Sequence, residues 1–285
     1  LDKGYSELES GNFKTAKLDL EQAEKLLSPK IDLRERAVLL NNLGVCYFQL
    51  GNFKKGIDYY TASLNLYRQT GNDTLIAESL LNLGIAYKGI GASDKATKTI
   101  LRAASIFEKN KASKELSSAW NSIGNIERKI GNFEKALTYH QRALRIRKQI
   151  NYLKGIADSY NNIGAVYLDL KQPNKANEYL KNALNLKRDL GNEWNALTTL
   201  TLLGRSYLEL NQPEIAFEYL NEAYDMRINA GNNVKIASSL YYLGTYYSKI
   251  KDSKKALESY AQAENLAEIQ PDYELLRDIL TAEIN

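Results

Sequence analysis

Few side chains in this sequence have the chemistry for catalysis. Histidine occurs once, as His140, and cysteine once, as Cys46. One of each cannot assemble a His/Cys metal site, and a lone cysteine has no internal disulfide partner. His140 shares a 40-residue column with Leu20, Tyr60, Ile100, Leu180, Leu220 and Tyr260, which predicts a core position. Cys46 shares its column with Ala86, Ile126, Val166, Ser206 and Tyr246, the setting of a small core residue, and no histidine lies in register to activate it. Carboxylates such as Glu134 and Asp158 are what charged helical surfaces carry in any case. With no strand predicted, no glycine-rich phosphate loop follows one. The expectation is a segment without enzymatic activity, metal or cofactor.

The chemistry that remains is that of binding. Arg147, Lys187 and Arg227 recur 40 residues apart, with Arg142, Arg145, Lys148 and Arg188 close by. Side by side they predict a positive band on an outer helical face. Such a band serves either an acidic partner or nucleic acid, or compensation of helix dipoles near C-terminal ends. The second reading is favoured, because no aromatic side chains interleave the stripe and 38 basic residues face 34 acidic ones. Nucleic acid is not an expected partner. No stretch approaches 18 uninterrupted apolar residues, so no membrane insertion is expected.

These columns exist because the chain repeats. Gly4, Gly44, Gly84, Gly124, Gly164, Gly204 and Gly244 each follow the last by 40 residues without insertion. A second small column follows at Ala16, Gly56, Ala96, Ala136, Ala176, Ala216 and Ala256, and a third at Ala23, Ser63, Ala103, Ala143, Ala183, Ala223 and Ala263. Ala37, Leu40, Leu43, Tyr47 and Leu50 step by three or four, one face of a helix. That helix stops at Gly51-Asn52, as others do at Gly11, Gly91 and Gly131, where glycine takes the left-handed conformation freely. In later units the stop reads Lys171-Gln172-Pro173, Asn211-Gln212-Pro213 and Lys251-Asp252-Ser253, with proline suited to a first helical turn. A second helix runs from about Phe53 to Thr70 and ends at Gly71-Asn72, echoed at Gly191-Asn192 and Gly231-Asn232. Glycine inside a helix is unfavourable by up to about 1 kcal/mol, so the glycine column requires a packing reason: with alanine opposite, it lets antiparallel helices approach closely.

Leu-Gly, tyrosine three later, Gly-Asn-Phe, then two alanines seven apart resemble the tetratricopeptide repeat. Residues 117–156 carry it as Asn121-Ser122-Ile123-Gly124, Gly131-Asn132-Phe133-Glu134-Lys135-Ala136-Leu137 and Arg142-Ala143-Leu144. The 40-residue unit is similar to the long repeats of mitotic scaffold proteins, kinesin light chains, bacterial peptide-sensing regulators and the sensor regions of bacterial histidine kinases. The resemblance implies an all-α, right-handed superhelical solenoid of about seven antiparallel helix hairpins. The array is expected over residues 1–271, its first unit truncated, with 272–285 a capping helix or the start of a further repeat. The absent initial Met and the half-helix around Gly4 predict that the natural protein extends beyond both ends.

The resemblance also implies a concave groove lined by the first helices. Positions three before, one after and four after the column glycine share its stripe. They hold Asn41, Val45 and Phe48; Leu81, Ile85 and Lys88; Asn121, Asn125 and Arg128; Asn161, Ala165 and Leu168; Thr201, Arg205 and Leu208; Tyr241, Thr245 and Ser248. Asn42, Asn82 and Asn162 form a neighbouring column. Asparagine prefers caps and turns, so mid-helix recurrence has two explanations: amides that lock adjacent repeats, favoured for Asn42, Asn82 and Asn162, or a ladder matching the backbone of an extended peptide, proposed for Asn121, Asn125 and Asn161. Asn41, Phe48, Asn82, Lys88, Asn121, Asn125, Arg128, Asn161, Arg205 and Tyr241 are the candidate ligand contacts, and Tyr241 is a candidate anchor. The expected function is non-enzymatic binding of a protein or peptide segment. Alternatives are the sensor region of a bacterial signalling protein, cytoplasmic or periplasmic, and a self-associating scaffold, with a homodimer as its form.

Overall fold

The computed structural model describes the backbone of residues 1–28, 31–191, 193–229, 233–269 and 273–284, and their side chains apart from those of 193, 194, 233–235, 269, 273, 274, 283 and 284. Among these residues the regular structure is all α-helical, and the chain divides into two compact units, Leu1–Asn151 and Tyr152–Asn285. Unit 1 holds α1 (Asp2–Glu9), α2 (Phe13–Leu26), α3 (Leu33–Gln49), α4 (Phe53–Thr70), α5 (Asp73–Gly89), α6 (Ser93–Lys109), α7 (Ser113–Lys129) and α8 (Phe133–Gln149). Unit 2 holds α9 (Leu153–Asp169), α10 (Pro173–Asp189), α11 (Glu193–Glu209), α12 (Pro213–Asn229), α13 (Asn233–Lys249), α14 (Ser253–Ile269) and α15 (Tyr273–Ile284).

In each unit the helices pair as hairpins, and α2, α4, α6, α10, α12 and α14 also pack on the first helix that follows them. First helices touch one another, α1 to α3 to α5 to α7 and α9 to α11 to α13, whereas no two second helices are in contact among the described residues. The first helices therefore form the inner row of each unit. This is an all-α array of stacked hairpins, each burying an apolar face that a single hairpin leaves open.

The small columns set the hairpin spacing. A Cβ on Gly44 would sit 2.7 Å from the Tyr60 ring, and one on Gly84 would sit 2.4 Å from Ile100 Cγ1. The side chain that fills the space is always 16 residues on, which places His140 against Gly124. His140 and Cys46 are both fully buried, as their columns predicted.

Hairpin turns share one bonding scheme. Gly51 N–H donates to Phe48 O at 3.0 Å and Asn52 N–H to Tyr47 O at 2.8 Å, with Gly51 at φ 78°. Lys171 and Gln172 repeat it at 3.0 and 2.9 Å, but the left-handed residue is now Lys171 at φ 58°. Asn211 (58°) and Lys251 (63°) do the same, and Pro173 opens α10 in its first turn. Gly71 and Gly191 end α4 and α10 in the left-handed region, while Asn192 and Gly231-Asn232 lie outside the described residues. A left-handed side-chain-bearing residue is strained by about 1–2 kcal/mol, partly offset by the greater chain entropy that glycine loses. Lys171→Gly and Lys251→Gly are each expected to stabilise the fold by about 0.5–1 kcal/mol, read as a higher urea midpoint. A lower midpoint contradicts the strain.

Candidate binding surface

The inner row of unit 1 presents one continuous stripe. Its nine positions on α3, α5 and α7 (Asn41, Val45, Phe48, Leu81, Ile85, Lys88, Asn121, Asn125 and Arg128) are all half-exposed. The residues that alternate with them, such as Leu43, Cys46, Leu83, Ala86, Ile123 and Ile126, are buried. A helix with one face in the core and the adjoining face on the inner row produces this pattern.

The polar members of the stripe differ in what holds them. Asn82 Nδ2 donates to Asn41 Oδ1 at 3.2 Å, an amide bridge from α5 to α3 of the kind expected to lock repeats. Asn121 Oδ1 meets His140 Nδ1 at 3.1 Å. The amide oxygen accepts, so this contact is a hydrogen bond in the tautomer with its proton on Nδ1. Asn125 has no hydrogen-bond partner among the described residues. Lys88 has no carboxylate in ion-pair range among them, and its ammonium pKa is lowered by burial and then by the nearby Lys129. Phe48 packs on Phe53 with ring centroids 5.3 Å apart. The stripe of unit 1 thus mixes aliphatic and aromatic surface with an uncommitted amide and an unneutralised cation.

Unit 2 has the same columns in a different state. Asn161, Ala165, Leu168, Thr201 and Leu208 are buried. Asn161 Oδ1 accepts from Thr199 Oγ1 at 2.7 Å, so this amide ties α9 to α11. Arg205 pairs with Asp169 at 3.5 Å and Glu209 at 3.1 Å. Tyr241 stands in an aromatic cluster, 5.1 Å from the Tyr242 ring and 6.0 Å from that of Tyr260. The ten candidate residues are therefore divided by unit: Asn41, Phe48, Lys88, Asn121, Asn125 and Arg128 line one stripe with Asn82 beside it, and Asn161, Arg205 and Tyr241 lie on another, where the amide is enclosed.

The basic column requires a correction. Arg147, Lys187 and Arg227 do not form an outer positive band; they are 5%, 5% and 4% exposed. Arg147 Nε donates to Ser117 Oγ at 3.2 Å. Lys187 Nζ donates to Asn195 O at 2.9 Å and Thr199 Oγ1 at 3.0 Å. Arg227 donates to the Ser239 hydroxyl and to Leu197 O. The signal of burial was present in the same column, which holds the buried Tyr67 and Phe107 in earlier repeats. The three do occupy the last turns of α8, α10 and α12, where a cation complements the helix dipole. Of the residues expected beside them, Arg142 lies 3.8 Å over the Trp120 ring and Arg188 pairs with Glu222 at 2.6 Å.

Among the described residues no cluster of His, Cys, Asp and Glu is placed to hold a metal, and no helix is long and apolar enough to cross a membrane. Burial pushes the Cys46 thiol up to about 11, away from the reactive thiolate.

Stacked antiparallel hairpins whose first helices form an inner, partly open stripe define a helical-repeat protein. The tetratricopeptide repeat model matches residues 35–109, 115–189, 155–229 and 195–269, and the chain belongs to that family. A comparison with curated proteins finds no match. Among solved structures, the quorum sensor NprR from B. thuringiensis in its apo form is similar at TM-score 0.71 and 15% identity, over 99% of this chain and 84% of that one. The Rap conjugation gene regulator of plasmid pLS20, in complex with the Phr* peptide, is similar at 0.65 and 19%, over 87% and 73%. Aspartyl phosphate phosphatase F from Bacillus subtilis is similar at 0.76 and 18%, over 93% and 68%. At these identities the likeness is one of fold.

Proposed function

We propose that this chain is a non-enzymatic binding module that holds an extended peptide or protein segment along the inner stripe of unit 1. The carrying observation is the run of nine half-exposed stripe positions over three successive hairpins. Val45, Phe48, Leu81 and Ile85 supply apolar contact, Asn125 an amide for ligand backbone, and Lys88 and Arg128 positive charge. Asn41, Asn82 and Asn121 hold the stripe in shape through their own bonds. Unit 2 offers Arg205 and Tyr241 as contacts for a segment bound there, while Asn161 serves packing. The peptide-bound regulator and the quorum sensor among the similar folds support this reading, and they favour a regulatory input role over a passive scaffold. The array over residues 1–271, with 272–285 as a closing helix, belongs to the same proposal; Ile279 of α15 is fully buried.

Peptides selected on the immobilised protein from a random library provide the test. Lys88→Ala combined with Asn125→Ala removes two half-exposed groups without bonded partners, so the helical signal and urea midpoint should stay unchanged. Affinity for the selected peptides is expected to fall at least tenfold. Equal binding to the altered protein overturns the stripe as the seat.

A further inference from the structure

The buried cation of α10 opens onto a cavity that the stripe does not use. It measures about 190 Å³, lies within unit 2 and is lined by Lys154, Ala157, Asp158, Lys187, Leu190 and Asn195. Drug-sized ligands occupy roughly 300–1,000 Å³, so this space suits a single side chain. Its polar groups are unequally satisfied. Lys187 spends two ammonium hydrogens on Asn195 O and Thr199 Oγ1. The third has no acceptor among the described residues, although the side chain is nine-tenths buried or more. Asp158 is half-exposed and has no hydrogen bond or ion pair among them. The cavity therefore offers a donor at one point and an acceptor at another, with Ala157 and Leu190 as apolar walls.

We propose that this cavity is a subsite for the carboxamide side chain of an asparagine or glutamine in a segment bound at unit 2, its C=O accepting from Lys187 and its NH2 donating to Asp158. Charge selects this class. A carboxylate is attracted by Lys187 and Lys154 but has no donor for Asp158 and sets a second carboxylate beside it; an ammonium or guanidinium satisfies Asp158 but has no acceptor for Lys187 and meets repulsion from Lys187 and Lys154. A neutral group carrying acceptor and donor together satisfies both without taking a further charge out of water. The electrostatics agree, since burial depresses the Lys187 ammonium pKa while Asp158 acts in the opposite direction. The inference deepens the binding-module reading, but it concerns unit 2 alone and can fail or hold independently of the unit 1 variants.

The test titrates the ¹⁵N-labelled protein with N-acetyl-glutamine methylamide and, separately, with N-acetyl-norleucine methylamide, which has the same main chain and an aliphatic side chain. The glutamine compound is expected to shift the amide signals of Lys154, Asp158 and Leu190 saturably and to bind at least fivefold tighter. Asp158→Ala, which removes no native bond, should abolish that preference, and Lys187→Met should do the same if it folds. Equal response to both compounds, no response at these signals, or a glutamine preference that survives in Asp158→Ala overturns the proposal.

Discussion

Gly84→Val is expected to destabilise the protein by roughly 2–4 kcal/mol, the upper range for overpacking a core. A Cβ at this position would lie 2.4 Å from Ile100 Cγ1 and 3.2 Å from Ala96 O. The first moves only with χ1 of Ile100, which a β-branched residue in a helix holds largely in one rotamer, and the second is backbone, so neither gives way easily. Alanine at the same site gains about 1 kcal/mol of helix propensity and still meets Ile100, so Gly84→Ala should cost less than valine. Ile100→Ala opens the space. A double-mutant cycle between Gly84→Val and Ile100→Ala should therefore show the pair destabilised by less than the sum of its parts. Urea unfolding of the four proteins measures this. Additivity would remove close approach as the reason for the glycine column. Gly51, at φ 78° with open space around its missing Cβ, is the contrast: alanine there meets backbone strain only.

The second large effect is acid sensitivity centred on His140. Burial, then Arg128 and Arg147, lower its pKa from 6.5 to about 3. The unfolded chain thus binds a proton at a pH where the folded chain does not. Stability is present above about pH 6.5 and is lost as the pH falls toward 3, at up to about 1.4 kcal/mol per pH unit. At pH 4.5 the loss from this group alone is roughly 2–3 kcal/mol. His140→Leu places here the residue found at Leu20, Leu180 and Leu220 and removes the buried Nε2 that has no hydrogen-bond partner. Carboxylates titrate in the same window, so the informative quantity is the difference between the two proteins. The urea midpoint of His140→Leu should fall less steeply than that of the parent between pH 7 and 4.5. Parallel pH profiles would contradict a buried neutral imidazole.

Much of this was legible because every position could be read in seven registers at once. The left-handed turn at Lys171 follows from Gly11, Gly51, Gly91 and Gly131 standing in its place in other units. The burial of His140 follows from the leucines, isoleucine and tyrosines of its column. The same logic applied to Lys187 and Arg227 would have placed them inside with Tyr67 and Phe107, but charge is ordinarily a surface signal and masked the column. Asn161 was harder to read. Its partner Thr199 lies on another helix in a different column, and a hydrogen bond between them leaves no periodic trace. The contrast between the open stripe of unit 1 and the enclosed one of unit 2 was not legible either. The enclosed positions are Asn161, Ala165 and Leu168 on α9 and Thr201 and Leu208 on α11, whereas Arg205, Tyr241 and Thr245 stay half-exposed, and the periodic pattern of the two units is the same.

The buried cations at the ends of α8, α10 and α12 have a consequence for the unfinished chain. Where Tyr67 or Phe107 closes a joint, a hairpin without its successor exposes a bare aromatic ring. Where Lys187 or Arg227 closes it, the same half-built end shows a hydrated charge, which acts as a gatekeeper against sticking to other chains. A joint closed by Lys187 or Arg227 thus presents a charge to water, and not a bare ring, if its successor is not yet in place.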